Sequence, residues 1–206
     1  MLIQKDKTNW LYVLTIIIFA AAASGAILFS QNSWLSKDLV PAELLVARAS
    51  IPLPTEINRN FLAQVNECFI PTAAVYGYTI RIVSGFRTIE EQNTLFDQGR
   101  TEDGHIVTWA QAEKSIHNYG FAVDVVDRWK GYNINWKKLG KIGSFCGLEQ
   151  VDDPHFEHRG GLATEQFVAG MRPQPLTLPC KLMNERAIEN KPLTLEDLKN
   201  CGAPDF

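Results

Sequence analysis

The stretch Ser115-Ile116-His117-Asn118-Tyr119-Gly120-Phe121-Ala122-Val123-Asp124 constrains this chain more than any other. A histidine and an aspartate flank a glycine, and the run that follows, Phe121 to Val126, has the apolar, β-branched composition of a strand. Period-two geometry places Ala122, Asp124 and Val126 on one face, so a carboxylate lies on a strand too apolar to leave it without a partner. Imidazole and carboxylate are both zinc ligands, and Gly120 permits the sharp turn that would bring them to one ion. Taken singly, His117 reads more readily as a hydrogen-bonded loop histidine, and Asp124 as an aspartate salt-bridged or hydrogen-bonded to backbone, than as metal ligands. What favours a metal is a second cluster further along, Asp152-Asp153-Pro154-His155-Phe156-Glu157, which offers another histidine among carboxylates. A fold that serves this chemistry must bring the two segments together.

The 206 residues are 46% hydrophobic and 21% charged, a globular balance. With a net charge of -3 and no basic cluster longer than a pair, the chain has no electrostatic footprint for nucleic acid. No charged residue occurs between Thr8 and Ser36, and Trp10 to Phe29 is an unbroken apolar run. At ~1.5 Å per residue such a run spans the ~30 Å of a bilayer's hydrocarbon core. Residues 1–35 are therefore expected to be a membrane anchor or signal segment. Ser24-Gly25-Ala26 resembles a cleavage site, but Ile27-Leu28-Phe29 prolongs the run and favours an anchor. Lys5 and Lys7 before it, with Asp6 between them, favour a cytoplasmic N-terminus, with the rest expected on the periplasmic or cell-wall side of the cytoplasmic membrane. Residues 36–53, with breakers at Pro41 and Pro52, read as a linker, 54–171 as the functional domain, and 172–206 as a tail marked by Pro173, Pro175 and Pro179. Four cysteines in an exported chain allow three pairings of two bridges. The pairing preferred is Cys180 with Cys201, which would staple the tail.

Helical spacing of Phe61, Leu62, Val65, Cys68 and Phe69 predicts a helix that begins near Thr55 to Asn58, is kinked or restarted at Pro71 and ends at Tyr76-Gly77. A strand over Tyr78 to Ser84 follows. Thr88 and Glu91 form a capping box for a helix closed by Gly99, which puts Arg87 at a strand-to-helix junction. Ile106 to Thr108 reads as a short strand and Trp109 to Lys114 as one helical turn. Asn135 to Cys146 reads as a helix, His155 and Glu157 as one face of a short edge strand with an extended approach through Pro154, and Leu162 to Met171 as a final full helix before the tail. One further short helix is expected near Thr194 to Leu198.

Three segments in this order carry a family resemblance: Ser84-Gly85-Phe86-Arg87 with Glu91-Gln92, Ser115-Ile116-His117 through Gly120 and Ala122 to Asp124, and Asp152 to Glu157. The chain resembles the zinc D-Ala-D-Ala and L-alanyl-D-glutamate peptidases of peptidoglycan, a group related in fold to the hedgehog domain. The resemblance implies an α+β domain with a small, mainly antiparallel sheet and flanking helices. It implies one zinc ion on His117, Asp124 and His155, with Asp152 as the general base. Arg87 would stabilise the tetrahedral intermediate or anchor the substrate, with Ser115 and Gln92 beside it in the substrate site. Three protein ligands leave a position for water, and attack of that zinc-bound water on a peptide bond of the stem peptide is the implied reaction. The Asp-x-Pro-His-Phe-Glu form points to the L-alanyl-D-glutamate bond. A D-alanyl-D-alanine carboxypeptidase is the nearest alternative, and a non-catalytic zinc-containing module that binds the wall or a partner is the alternative of another class. Three departures stand out. Only Gln150-Val151 separates Glu149 from Asp152, Ala112-Glu113-Lys114 replaces the Gly-rich approach to Ser115, and the tail after Met171 has no counterpart in the family. His105 and His158 are left as surface or supporting residues.

Overall fold

The structure, a computed structural model, describes residues 54–206. The expected membrane segment and linker, 1–35 and 36–53, lie outside the described residues, among which no helix is long and apolar enough to cross a membrane. The domain opens with a capped helix: Asn58 Oδ1 accepts from the amides of Asn60 and Phe61, both at 3.1 Å, ahead of α1 (Arg59–Gln64). The run continues through a π-helical stretch, Val65–Phe69, into α2 (Ile70–Val75). Pro71 lies in the first turn of α2, and because a proline cannot donate the backward bond, the turn before it is the one that widens. Gly77, at φ +85°, ends the run as expected.

β1 (Ile80–Ser84) then leads through Arg87 to α3 (Ile89–Asp97), whose capping box forms as read: Glu91 N donates to Thr88 Oγ1 at 3.1 Å and Thr88 N to Glu91 Oε2 at 2.8 Å. A 3₁₀ turn, Ile116–Tyr119, precedes β2 (Ala122–Asp127). Then come α4 (Trp136–Phe145), β3 (Glu149–Asp152), β4 (His155–Glu157), α5 (Thr164–Val168), α6 (Lys181–Ile188) and α7 (Leu195–Asn200). The four strands form one antiparallel sheet in the order β1-β2-β4-β3. The domain is thus α+β.

One face of the sheet meets the helices. Phe69 and Phe156 stack at 4.7 Å between centroids. α4 comes in closely because Gly143 has no side chain; a Cβ there would lie 2.7 Å from the Phe156 ring. Cys68 on the π-helical stretch is disulfide-bonded to Cys146 at the end of α4, with Cα atoms 5.7 Å apart.

Several local expectations are corrected. β4 is not an edge strand, because Glu149–Asp152 pairs outside it; four residues between a helix and a turn gave too short an alternation to read as a strand. Between those strands the chain makes a tight turn, with a cis Asp153–Pro154 bond, rather than an extended approach. Ile106 to Thr108 forms no strand and Trp109 to Lys114 no helix. The groups of Thr108 are engaged locally instead: its carbonyl accepts from Arg100 Nη2 at 3.0 Å, and its hydroxyl contacts Gln92 Nε2 and Ala110 N at 3.3 and 3.2 Å. The helix expected over Leu162 to Met171 is the five-residue α5, closed by Gly170 at φ +91°.

The tail folds onto the rest. Asn60 and the Leu176 backbone exchange two hydrogen bonds, 2.7 and 3.2 Å. Gln64 Nε2 donates to the carbonyls of Cys146 and Thr177 at 2.9 and 3.2 Å, and His158 Nε2 lies 2.9 Å from the Gln174 carbonyl. Met183 and Leu198 are buried in the same core as the sheet. Cys180 and Cys201 are bonded across α6 and α7, the pairing preferred from the sequence.

Candidate metal centre and cleft

Strand register assembles the centre. Ser84 on β1 pairs with Asp124 on β2, Asp124 with His155 on β4, and His155 with Asp152 on β3. One rung across all four strands therefore carries a site residue on each. His117 joins them from the 3₁₀ turn, which Gly120 closes at φ +75°. A Cβ on Gly120 would meet the Glu56 carbonyl at 2.6 Å, so only glycine serves at this corner.

His117 Nε2, Asp124 Oδ1 and His155 Nδ1 form a nearly equilateral triangle with sides of 3.2, 3.1 and 3.1 Å. Among the described residues this is the group of His, Cys, Asp and Glu side chains able to hold a metal ion. Ligand atoms at ~2.0–2.1 Å from a tetrahedral zinc lie ~3.3–3.4 Å apart, close to these sides. The outer bonds set the tautomers. His117 Nδ1 is 2.6 Å from the Gly85 carbonyl, which can only accept, so Nδ1 carries the proton and Nε2 presents its lone pair inward. His155 Nε2 donates to Glu157 Oε2 at 2.9 Å, which turns the Nδ1 lone pair inward in the neutral ring. Two lone pairs and a carboxylate oxygen then converge within hydrogen-bond distance of one another. Such a set requires a cation, or a proton, at its centre.

Without a metal the proton takes that place. Burial lowers the His117 pKa, against the pull of Asp124. Burial also opposes a charge on His155, but the bonds to Asp124 and Glu157 outweigh it and push its pKa up to about 9. For Asp124, burial favours the neutral acid; the two histidines and Arg87 overcome it and hold the carboxyl well below the usual range. Glu157, only 2% exposed, is likewise held below its ordinary value, against burial, by His155 and Arg159.

Arg87 bonds the other oxygen of Asp124, and its Nε and Nη1 reach Ser84 Oγ and Gln92 Oε1 at 3.0 and 3.3 Å. It thereby keeps Oδ1 for the centre. Gln92 does not reach the cleft: it is fully buried, and its Nε2 donates to the Ala110 carbonyl at 2.7 Å. Ser115, 6% exposed, lines the cleft as the residue before the 3₁₀ turn. Asp152 is exposed at the end of β3 and lines the same cleft, whose volume is about 370 Å³. No described residue donates a hydrogen bond to its carboxylate.

The residue that sequence reasoning left without a role is Glu157. Its signal was present, since a residue two places from a ligand on a strand shares that ligand's face. Asp127, a second buried carboxylate on β2, has a structural role: it accepts from the amides of Thr79, Trp129 and Lys130 at 2.8 to 2.9 Å. His105 is exposed and is not among the residues that line the cleft.

Residues 56–144 match the VanY family, described as D-alanyl-D-alanine carboxypeptidase. The chain is 37% identical over 90 residues to the peptidoglycan L-alanyl-D-glutamate endopeptidase CwlK of Bacillus subtilis (strain 168), a match that covers 44% of this chain and 53% of CwlK. It thus spans about half the length of that relative. Among solved structures, the L,D-carboxypeptidase DacB from Streptococcus pneumoniae is 18% identical with a TM-score of 0.42, covering 59% of this chain and 76% of DacB. A mutant of the vancomycin-resistance D,D-pentapeptidase VanY from a VanB-type cassette, in complex with Zn(II), is 19% identical with a TM-score of 0.42, covering 57% of this chain and 89% of VanY.

Proposed function

From the VanY-family match over residues 56–144, we propose that the chain is a zinc peptidase that hydrolyses peptidoglycan stem peptides at the L-alanyl-D-glutamate bond. The observation that carries the proposal is the convergence of His117 Nε2, Asp124 Oδ1 and His155 Nδ1 beside the exposed carboxylate of Asp152 in one cleft. His117, Asp124 and His155 would hold the ion, which supplies a Lewis acid and a water of lowered pKa. Asp152 accepts a proton from the attacking water and returns it to the leaving amine. Glu157 orients His155, and Arg87 orients Asp124 and flanks the substrate. Ser115 lines the floor where the peptide lies, and Gln92 supports Arg87 from behind.

The choice of bond follows the 37% identity to CwlK and the Asp152-to-Glu157 motif. The description of the matched family supports the second reading, release of terminal D-alanine. The apolar run Trp10 to Phe29 and the two disulfides support a reading in which the domain lies outside the cytoplasmic membrane, with residues 1–35 as its anchor. The test is digestion of purified peptidoglycan by the zinc-loaded chain with mass spectrometry of the released peptides. New N-terminal D-glutamate supports the endopeptidase, and loss of one D-alanine moves the chain to the second reading. No release from a folded, zinc-loaded sample makes it a binding module.

A further inference from the structure

Trp109 is 79% exposed, the most exposed large apolar side chain among the described residues, and it lines the candidate cleft. Ile106 and Val107, 42% and 53% exposed, line the cleft with it. Leaving this much apolar surface in water is unfavourable by ~25 cal/mol per Å², and contiguous exposed patches mark binding surfaces. The support is ordered. Gln92 holds the Ala110 carbonyl at 2.7 Å, and Arg100 holds the Thr108 carbonyl at 3.0 Å, so the backbone on both sides of Trp109 is fixed. The Arg100 guanidinium also lies 3.9 Å over the Phe96 ring and 5.4 Å from the indole. An indole already held needs little ordering when a ligand arrives. The segment from Ile106 to Gln111 carries no charged residue of its own, and the Arg100 guanidinium lies against the indole.

We infer that Trp109, with Ile106 and Val107, forms a subsite for a pyranose ring of the glycan strand that bears the stem peptide. This rests on the peptidoglycan reading above. The stem peptide itself consists of alanines, glutamate and a diamino acid, which offer methyl groups and charges but no broad neutral face. The glycan does, because a pyranose ring presents a C–H face that an indole can cover while its hydroxyls stay in water. Connectivity also suits one bond. The L-alanine is attached directly to the sugar's lactyl group, so at the L-alanyl-D-glutamate bond only that residue and the lactyl group separate the ring from the reacting carbonyl, whereas at the D-alanyl end of the stem several residues do, each spanning ~3.5 Å.

The experiment compares the zinc-loaded full-length chain on two substrates with the same stem, one free and one joined to its disaccharide. Trp109→Ala is expected to lower kcat/KM on the disaccharide-peptide about tenfold, the size of one aromatic contact, and to leave the free peptide unchanged. Trp109→Phe should recover part of the loss. An equal effect on both substrates, or none on either, overturns the subsite. Binding of the peptide-free disaccharide, followed by equilibrium dialysis, reads the subsite without hydrolysis. Saturable binding lost in Trp109→Ala supports it even if the cleaved bond proves to be another, whereas no binding overturns it while leaving the peptidase reading intact.

Discussion

Asp152 and His155 face each other across a two-residue turn, yet their environments assign them opposite tasks. Asp152 is exposed and lines the cleft, while His155 is clamped between Asp124 and Glu157. Asp152→Asn should lower hydrolysis of stem peptides by 10²-fold or more and leave zinc content unchanged by metal analysis. Glu157→Gln should do the reverse, weakening zinc about 10–100-fold in a chelator competition, because it loosens His155 and leaves the Arg159 charge without its carboxylate. The raised pKa of His155 has a sign that can be checked. In the metal-free chain, charged His155 contributes stability that is fully present below its ordinary value of 6.5 and is lost as pH rises through about 9. The melting temperature in chelator should therefore fall across that window, while zinc affinity climbs as the competing proton is lost, and thermal scans with and without zinc would follow both.

At the scale of elements, α4 and β4 touch through a glycine and a phenylalanine, and the contact reaches the centre because Phe156 lies between His155 and Glu157. Gly143→Ala should cost about 1–3 kcal/mol in denaturant unfolding and should also weaken zinc, since displacing Phe156 moves both neighbours. The longer elements were legible in the sequence, each for a local reason. Asn58, Thr88 and Asn135 cap where a capping residue meets an apolar period, and Gly77 and Gly147 terminate helices through positive φ. His117, Asp124 and His155, the set implied by the family resemblance, converge in the structure, each beside residues that fix a turn or a strand. What local pattern could not show were features set by distant partners. β3 exists because β4 offers it a ladder, the stretch from Ile106 to Lys114 is shaped by Gln92 and Arg100, and Gln92 is turned inward by Ala110 rather than toward substrate.

Across the whole molecule, the two disulfides divide the labour. Cys68–Cys146 joins residues 78 apart and ties the helices behind the sheet, whereas Cys180–Cys201 closes 21 residues at the end of the chain. By loop entropy the first is worth about 4–5 kcal/mol and the second about 3. Cys180→Ser with Cys201→Ser should therefore lower the melting temperature less than Cys68→Ser with Cys146→Ser, in calorimetry of the zinc-loaded chain. Arg186, bonded to Asp197 at 2.8 Å, and the Thr194 cap hold the pKa of Asp197 down to about 2. The contribution of this ion pair should be fully present above pH 3.8 and be lost as pH falls through about 2, visible as faster amide exchange in α7. The rung of Ser84, Asp124, His155 and Asp152 runs at right angles to the chain direction, so the centre belongs to the hydrogen-bond ladder and not to any one stretch of polypeptide. Connections that leave the ladder, such as the one from β2 through α4 to β3, can therefore change length over evolution without disturbing the rung, whereas one residue added between Asp152 and His155 would break the pairing of those two side chains in a single step.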